Sequence, residues 1–428
     1  MLAFTITILL FALLAIGVPV GFALAVAGAI GLYSIGGLSL VLGVLDTAPL
    51  SAASSYELIT IPMFVLMAEF VILSGVADDL FRAAATWVGR LPGGLGIATA
   101  FAGAGFGAIS GSSTAAAATL SATTIPAMLK HGYEPKLACG IVAISGTLAM
   151  LIPPSIALVL YGLIAEISVG ELLVGGVIPG VLVTLTIALT VLALVLKDPS
   201  RAPRGKRYSL AEKVRSLHVV GPMIALFMAV TGIIYLGVAT PTEAAAIGAF
   251  GAMLLTWKER KLTASTFRQA LVAAAGTSCM IVMIILGAQI FGYFFTLTRA
   301  TQDLVAFVSS LDASRYVILG LILTFYLILG CLMDQVAILI LTVPIVLPVI
   351  KALGFDPVWF GVIVIVLAEV GLVTPPVGLN VFVVARYTGR PLEEIFAGIW
   401  PHVVAHIGLV VLLVAFPQII LWLPSTMR

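Results

Sequence analysis

Apolar stretches of about 20 residues recur along the whole chain, divided by short segments that hold most of the charge. Runs such as Val181–Leu196 and Val403–Phe416 do not alternate apolar and polar positions, as the strands of a membrane barrel must. A continuous apolar run of that length satisfies its backbone in hydrocarbon only as a helix. The pattern therefore predicts an all-α polytopic membrane protein. Composition agrees: 61% of the 428 residues are hydrophobic, 9% are charged, and mean hydropathy is +1.23. A water-soluble domain carries about 25% charged residues, and this chain cannot cover itself that way.

Charge and cysteine narrow the class further. Net charge is +2, and no basic tract resembles a nucleic-acid surface. Cys139, Cys279 and Cys331 are scattered through apolar segments and suggest neither disulfide nor metal site. The start, Met1-Leu2-Ala3-Phe4, lacks a basic leader and reads as an uncleaved first span. The one charged stretch, Lys197 to Arg215, joins two halves of similar length.

Those halves share their punctuation. Pro126 and Pro348, Gly132 and Gly354, Pro135 and Pro357, Pro154 and Pro376, Glu171 and Glu393, Gly176 and Gly398, and Pro179 and Pro401 are each 222 residues apart. Pro19 and Pro241 keep the same spacing. Proline and glycine dictate backbone geometry, so an ungapped spacing of both predicts two copies of one fold. The expected layout is repeat one at 1–200, a basic linker at 201–215 and repeat two at 216–428. Repeat one holds a re-entrant hairpin at about 92–130 and a broken span at about 135–165. Repeat two holds the matching hairpin at about 315–352 and broken span at about 357–386.

Lys and Arg concentrate on the cytoplasmic side of membrane proteins. With the linker inside and five spans per repeat, 17 of the 21 basic residues fall inside. Only Arg299, Arg315, Lys351 and Arg428 fall outside. An odd span count inverts the second repeat and leaves both termini outside.

Inverted repeats with interrupted helices mark secondary transporters, whose site lies near the midplane. The interruptions expected here are a glycine- and serine-rich hairpin tip at 103–114, a second tip at 329–335, and the double prolines Pro153-Pro154 and Pro375-Pro376. Each double proline removes two successive backbone donors, freeing carbonyls for a cation. The half-helix beyond points its positive end at an anion. One break per repeat suggests two Na⁺ sites flanking one anionic substrate. The carbonyl candidates are Ala108, Ala149, Ile152 and Ser155 for the first, and Gly330, Gly371, Thr374 and Val377 for the second. Simple kinks that let helices pack closely are the competing reading.

Charged and polar side chains at lipid depth need partners. Asp334 sits at the second tip, where the first has Ser112; it suits a cation, a proton or a substrate hydroxyl. Asn380 follows the second break and is a candidate ligand. Arg299 ends a long span expected at Met280–Thr298; it either takes a carboxylate with its planar fork or snorkels outward. Glu243 reads as a helix N-terminal charge, and Glu69 and Glu369 have no assigned partner.

At these motifs the chain resembles the large membrane (DctM-like) subunit of tripartite ATP-independent periplasmic (TRAP) transporters. The matching stretches are SGSSTAAAATL at Ser110–Leu120, GTLAMLIPPS at Gly146–Ser155 and YLGVATPTEAAAIGA at Tyr235–Ala249. MDQVAILILTVPIVLP at Met333–Pro348 and TPPVGLN at Thr374–Asn380 complete them. The resemblance implies an elevator-type permease of the bacterial inner membrane, contacting lipid. It would import an organic acid such as a dicarboxylate or sialic acid by Na⁺ symport. It further implies a small four-span membrane subunit and a periplasmic substrate-binding protein as partners. Ser110, Ser112, Ser155, Asp334 and Asn380 fall on the family's binding motifs, and Arg299 looks like its substrate-carboxylate arginine.

Two other classes compete. A stand-alone Na⁺-coupled anion carrier would need no binding protein. An intramembrane serine hydrolase at Ser110 or Ser112 would need a base within hydrogen-bond reach, and it leaves the second hairpin without a role. The topology itself is testable: reporters fused within Lys258–Lys261 should read as cytoplasmic, and an external reading contradicts the inversion.

Overall fold

A computed structural model describes residues 2–54 and 56–427; Met1 and Arg428, used above for the termini, lie outside the described residues. Every regular element among the described residues is helical. Helices α1 (Leu2–Ala15) and α2 (Val20–Ala53) precede α3 (Thr60–Ser74) and α4 (Val76–Val88). A hairpin of α5 (Gly94–Ser110) and α6 (Ser113–Lys130) follows. Helix α7 (Pro135–Gly146) tightens into a 3-10 turn at Thr147–Met150 and stops; α8 (Ile156–Ala165) and α9 (Val169–Lys197) finish the first half.

The second half begins with α10 (Leu210–Tyr235), α11 (Pro241–Lys258), α12 (Ala264–Leu297) and α13 (Ala300–Ser310). Its hairpin is α14 (Arg315–Leu332) and α15 (Gln335–Ala352). Next come α16 (Pro357–Gly371), α17 (Leu379–Thr388), α18 (Leu392–Ala415) and α19 (Gln418–Ser425). Among the described residues, eight helical stretches are long and apolar enough to cross a membrane. Both ends of α15 lie 222 residues after those of α6, as does the start of α16 after that of α7.

Helix α2 packs along α12, and α3 along α11. Glycine permits the first contact: a β-carbon on Gly287 would sit 2.1 Å from the Gly21 carbonyl oxygen, and one on Gly28 would sit 2.8 Å from Phe291 Cα. Helix α2 kinks where Gly37 takes φ 67°. The hairpins meet the broken helices crosswise, α6 on α17 and α15 on α8. The second arm of each hairpin thus rests on a half-helix from the other half of the chain.

Two expectations are corrected. The span expected at Met280–Thr298 belongs to a helix that starts already at Ala264, because Thr263 and Thr266 form a capping box there. The glycine run 103–107 is not an unwound tip; it lies inside α5, and only Gly111 and Ser112 form the turn. These glycines serve close packing instead, since a β-carbon on Gly103 would meet the Ser145 carbonyl oxygen at 2.8 Å. Glu243 is the helix-terminal charge expected, in a capping box with Thr240.

The linker is tied to the α6–α7 corner. The Glu134 N–H donates to the Arg201 carbonyl at 2.8 Å, and the Arg201 guanidinium lies 3.1 Å from Asp198. Donation from the Ser200 hydroxyl and from Arg201 holds the Asp198 carboxyl below its usual range.

A side chain at the α2–α12 contact should be poorly tolerated. Gly287→Val overpacks the seam and should cost about 1–3 kcal/mol, read as a lowered thermal-unfolding midpoint of the detergent-purified protein. An unchanged midpoint would mean that the two helices do not pack this closely.

Candidate functional site

Backbone accounting locates the site. After α7, the N–H groups of Leu151 and Ile152 both turn back to the Leu148 carbonyl, at 3.2 and 3.1 Å. Pro153 and Pro154 then offer no N–H at all. Ser155 caps α8, its hydroxyl oxygen accepting from Leu158 N–H at 3.2 Å while its proton goes to the Met150 carbonyl. In the second half, Leu372 stands 222 residues after Met150, and its carbonyl is met instead by the Asn380 N–H at 3.3 Å. The same orphan acceptor is thus satisfied by a side chain in one half and by backbone in the other. Both Pro–Pro bonds are cis.

Among the described residues, the carbonyls of Ala108, Ala149, Ile152, Gly330, Thr374 and Val377 receive no protein hydrogen bond. The other two sequence candidates are engaged: Gly371 accepts from Thr374 N–H at 2.9 Å, and Ser155 from Val159 N–H at 3.1 Å. Tip and break are in direct contact on each side. A β-carbon on Gly107 would lie 2.8 Å from Ala149 Cα, and one on Gly371 would lie 2.5 Å from Gly330 Cα. The Val377 N–H donates to the Cys331 carbonyl at 3.3 Å, fastening the second break to the second tip.

The side-chain candidates divide by what they already do. Ser112 caps α6, accepting from Ala115 N–H at 3.4 Å, and lies 3.3 Å from the Thr114 hydroxyl. Ser110 is buried with its hydroxyl 3.5 Å from the Ser112 carbonyl. Asp334 caps α15 through Val336 N–H at 3.1 Å, and its side chain is exposed. Asn380 is buried; its amide donates to the Ala143 carbonyl at 3.3 Å, while Oδ1 has no partner. Arg299 lies exposed at the α12–α13 junction in a left-handed conformation, φ 53°. Among the described residues, no hydrogen bond or ion pair joins it to a tip or break.

Sequence reasoning missed two groups that brace these tips. Glu369, on α16, is buried and receives the Ser113 hydroxyl within 2.7 and 2.8 Å of its two oxygens. Ser113 opens α6, so this contact fastens the first tip to the broken helix of the other half. Its signal was present in the SGSS motif, but the partner is 256 residues away. Gln335 is likewise buried, its amide donating to the Ile365 carbonyl at 3.3 Å. A cavity of about 780 Å³ lies apart from both tips, lined by Glu57, Glu166, Thr240, Thr242 and Gln289 among others, with no basic residue. Its acidic lining does not suit an organic anion.

Comparison with known proteins agrees with this architecture. The family described as "Tripartite ATP-independent periplasmic transporter, DctM component" matches residues 7–419. The C4-dicarboxylate TRAP transporter large permease protein of Pseudomonas aeruginosa is 35% identical over 86% of each chain. The isethionate TRAP transporter permease protein DctMQ of Oleidesulfovibrio alaskensis is 33% identical over 95% of this chain, which spans 64% of that longer protein. In fold, the chain is similar to the YdaH transporter of Alcanivorax borkumensis, with TM-score 0.67, 14% identity and 90% of each chain covered. With tip, break and helix order all accounted for, the chain belongs to the DctM component family of tripartite ATP-independent periplasmic transporters.

Proposed function

We propose that this permease imports a small organic anion together with Na⁺, two cations binding at the tip–break contacts and the anion between them. The observation that carries the reading is the set of six unpaired carbonyls at those contacts. Each would lose hydration on burial, and a cation restores what the missing N–H groups do not. Ala108, Ala149 and Ile152 would line one site; Gly330, Thr374 and Val377, with Gly371 beside them, would line the other. Ser155 completes the first as the cap that fixes its geometry. Asp334 adds negative charge at the exposed tip, and Ser110, Ser112 and Asn380 Oδ1 offer polar contacts to the anion. Arg299 would meet the carboxylate on the outer face.

The frame for this chemistry would be two inverted repeats, 1–200 and 216–428, joined by the linker at 201–215. Shared element bounds and the crosswise packing of α6 on α17 and α15 on α8 support it. Movement of the hairpins and broken helices past the α2–α12 and α3–α11 seams would carry the site across the inner membrane, with both termini periplasmic. A small four-span subunit and a periplasmic binding protein would act as partners; the fusion named DctMQ among the relatives supports the former. A dicarboxylate or sulfonate cargo is suggested by the relatives' names, and the site's chemistry suits either.

Uptake in cells expressing the full system tests the reading. Asp334→Ala should abolish Na⁺-driven uptake while membrane insertion stays normal; uptake at the unsubstituted rate would remove Asp334 from the site. Arg299→Lys keeps the charge and loses the planar fork. It should raise the substrate concentration for half-maximal uptake about tenfold, and unchanged affinity would remove Arg299 from the carboxylate's path.

A further inference from the structure

Helix α6 packs on α17 as α15 packs on α8, and the bounds of these helices correspond at or within one residue of the spacing of 222. The two contacts are filled differently. Between α15 and α8, the positions are Val336, Ala337 and Ile340 on one helix and Tyr161, Ile164 and Ala165 on the other. Ala337, Ile340, Tyr161 and Ala165 are buried there, and the Tyr161 hydroxyl is used up on the Pro357 carbonyl at 2.8 Å. The matching residues between α6 and α17 are Thr114, Ala115, Ala118, Val383, Arg386 and Tyr387. They line an open hollow of about 600 Å³, with Arg386 and Tyr387 exposed at its rim. Ala118 stands where the other half has Ile340, a larger side chain that is buried. Arginine in place of isoleucine at 386 puts a guanidinium at the hollow.

We propose that this hollow between α6 and α17 is a second anion-binding station, in which Arg386 takes a carboxylate or sulfonate group. The inference rests on the function proposed above and extends the anion's route beyond the tips. Arg386 lies in the last turn of α17, beyond the second break, and is exposed. Thr114 supplies a hydroxyl and stands 3.3 Å from the Ser112 hydroxyl, which connects the hollow to the first tip. The leading turn of α6 adds positive partial charge. Among the described residues no ion pair engages Arg386, whereas Arg390, one turn on, is paired with Glu394 at 3.0 Å. Charge at the end of α17 is therefore already neutralised at one arginine and left available at the other. In the topology derived above this face is cytoplasmic, so the station would receive the anion on release. The guanidinium fork is suited to two oxygens of one oxyanion.

The test uses the purified full chain in lipid nanodiscs, with succinate and isethionate as probes and thermal unfolding in Na⁺ as the readout. Either anion should raise the midpoint, and Arg386→Gln should raise the half-saturating concentration about tenfold or more. Arg386→Lys should fall between, because the charge stays and the fork is lost. Arg390→Gln should match the unsubstituted protein. The response to succinate against isethionate tells a carboxylate station from a sulfonate one. An Arg386→Gln response equal to the unsubstituted one overturns the station, as does the absence of any shift with either anion in the unsubstituted protein. If the shift survives Arg386→Gln but is lost in Asp334→Ala, the anion sits only between the tips; the station falls while the transport reading stands.

Discussion

A backbone in hydrocarbon must meet its own hydrogen bonds, and two double prolines at lipid depth withdraw four donors from that account. The rest of the site follows from how the chain responds. Helix α7 tightens into a 3-10 turn, so two N–H groups converge on Leu148 and pass over Ala149 and Met150. The Ser155 hydroxyl recovers one of the skipped carbonyls, and the Asn380 N–H recovers its counterpart at Leu372. What is left over is ordered: unpaired carbonyls beside each tip, held by glycine contacts too close for any larger residue. Under the proposed function, a cation would complete these unpaired acceptors, and ion coupling would then depend on the fold of the breaks.

Helices α6 and α15, and the starts of α7 and α16, keep the spacing of 222, while the side chains at that spacing differ. Asp334 stands where the other half has Ser112, Asn380 where it has Leu158, Glu369 where it has Thr147, and Arg386 where it has Ile164. A repeated backbone can supply like cation sites on both sides. Under the proposed function, a single organic anion would take its directional polar contacts from these unmatched residues. The Ser113–Glu369 contact joins the first tip to α16 of the other half.

Much of this was legible in the chain before the structure. Helices α7 and α16 stop just before the double prolines visible in the chain, because proline acts locally and removes a backbone donor at each occurrence. What was not legible is tertiary. The run Gly103–Gly107 looks like an unwound tip, yet the helix continues through it because neighbouring helices press against the bare backbone. Glu369 had no visible partner because Ser113 lies in the other half. The hollow at Ala118 is a volume missing between two helices, and only the comparison with Ile340 across the repeat makes it visible. Helix α12 runs longer than its most apolar stretch because the cap at Thr263 sets its start.

Equilibrium binding of ²²Na⁺ to the purified full chain in nanodiscs tests the central claim most directly. The account expects saturable Na⁺ binding that excess K⁺ does not displace, and its loss at one of two sites when Gly371→Val forces the second tip and break apart. No saturable binding, or binding untouched by Gly371→Val, would contradict the assignment of the tip–break carbonyls to the coupling ions.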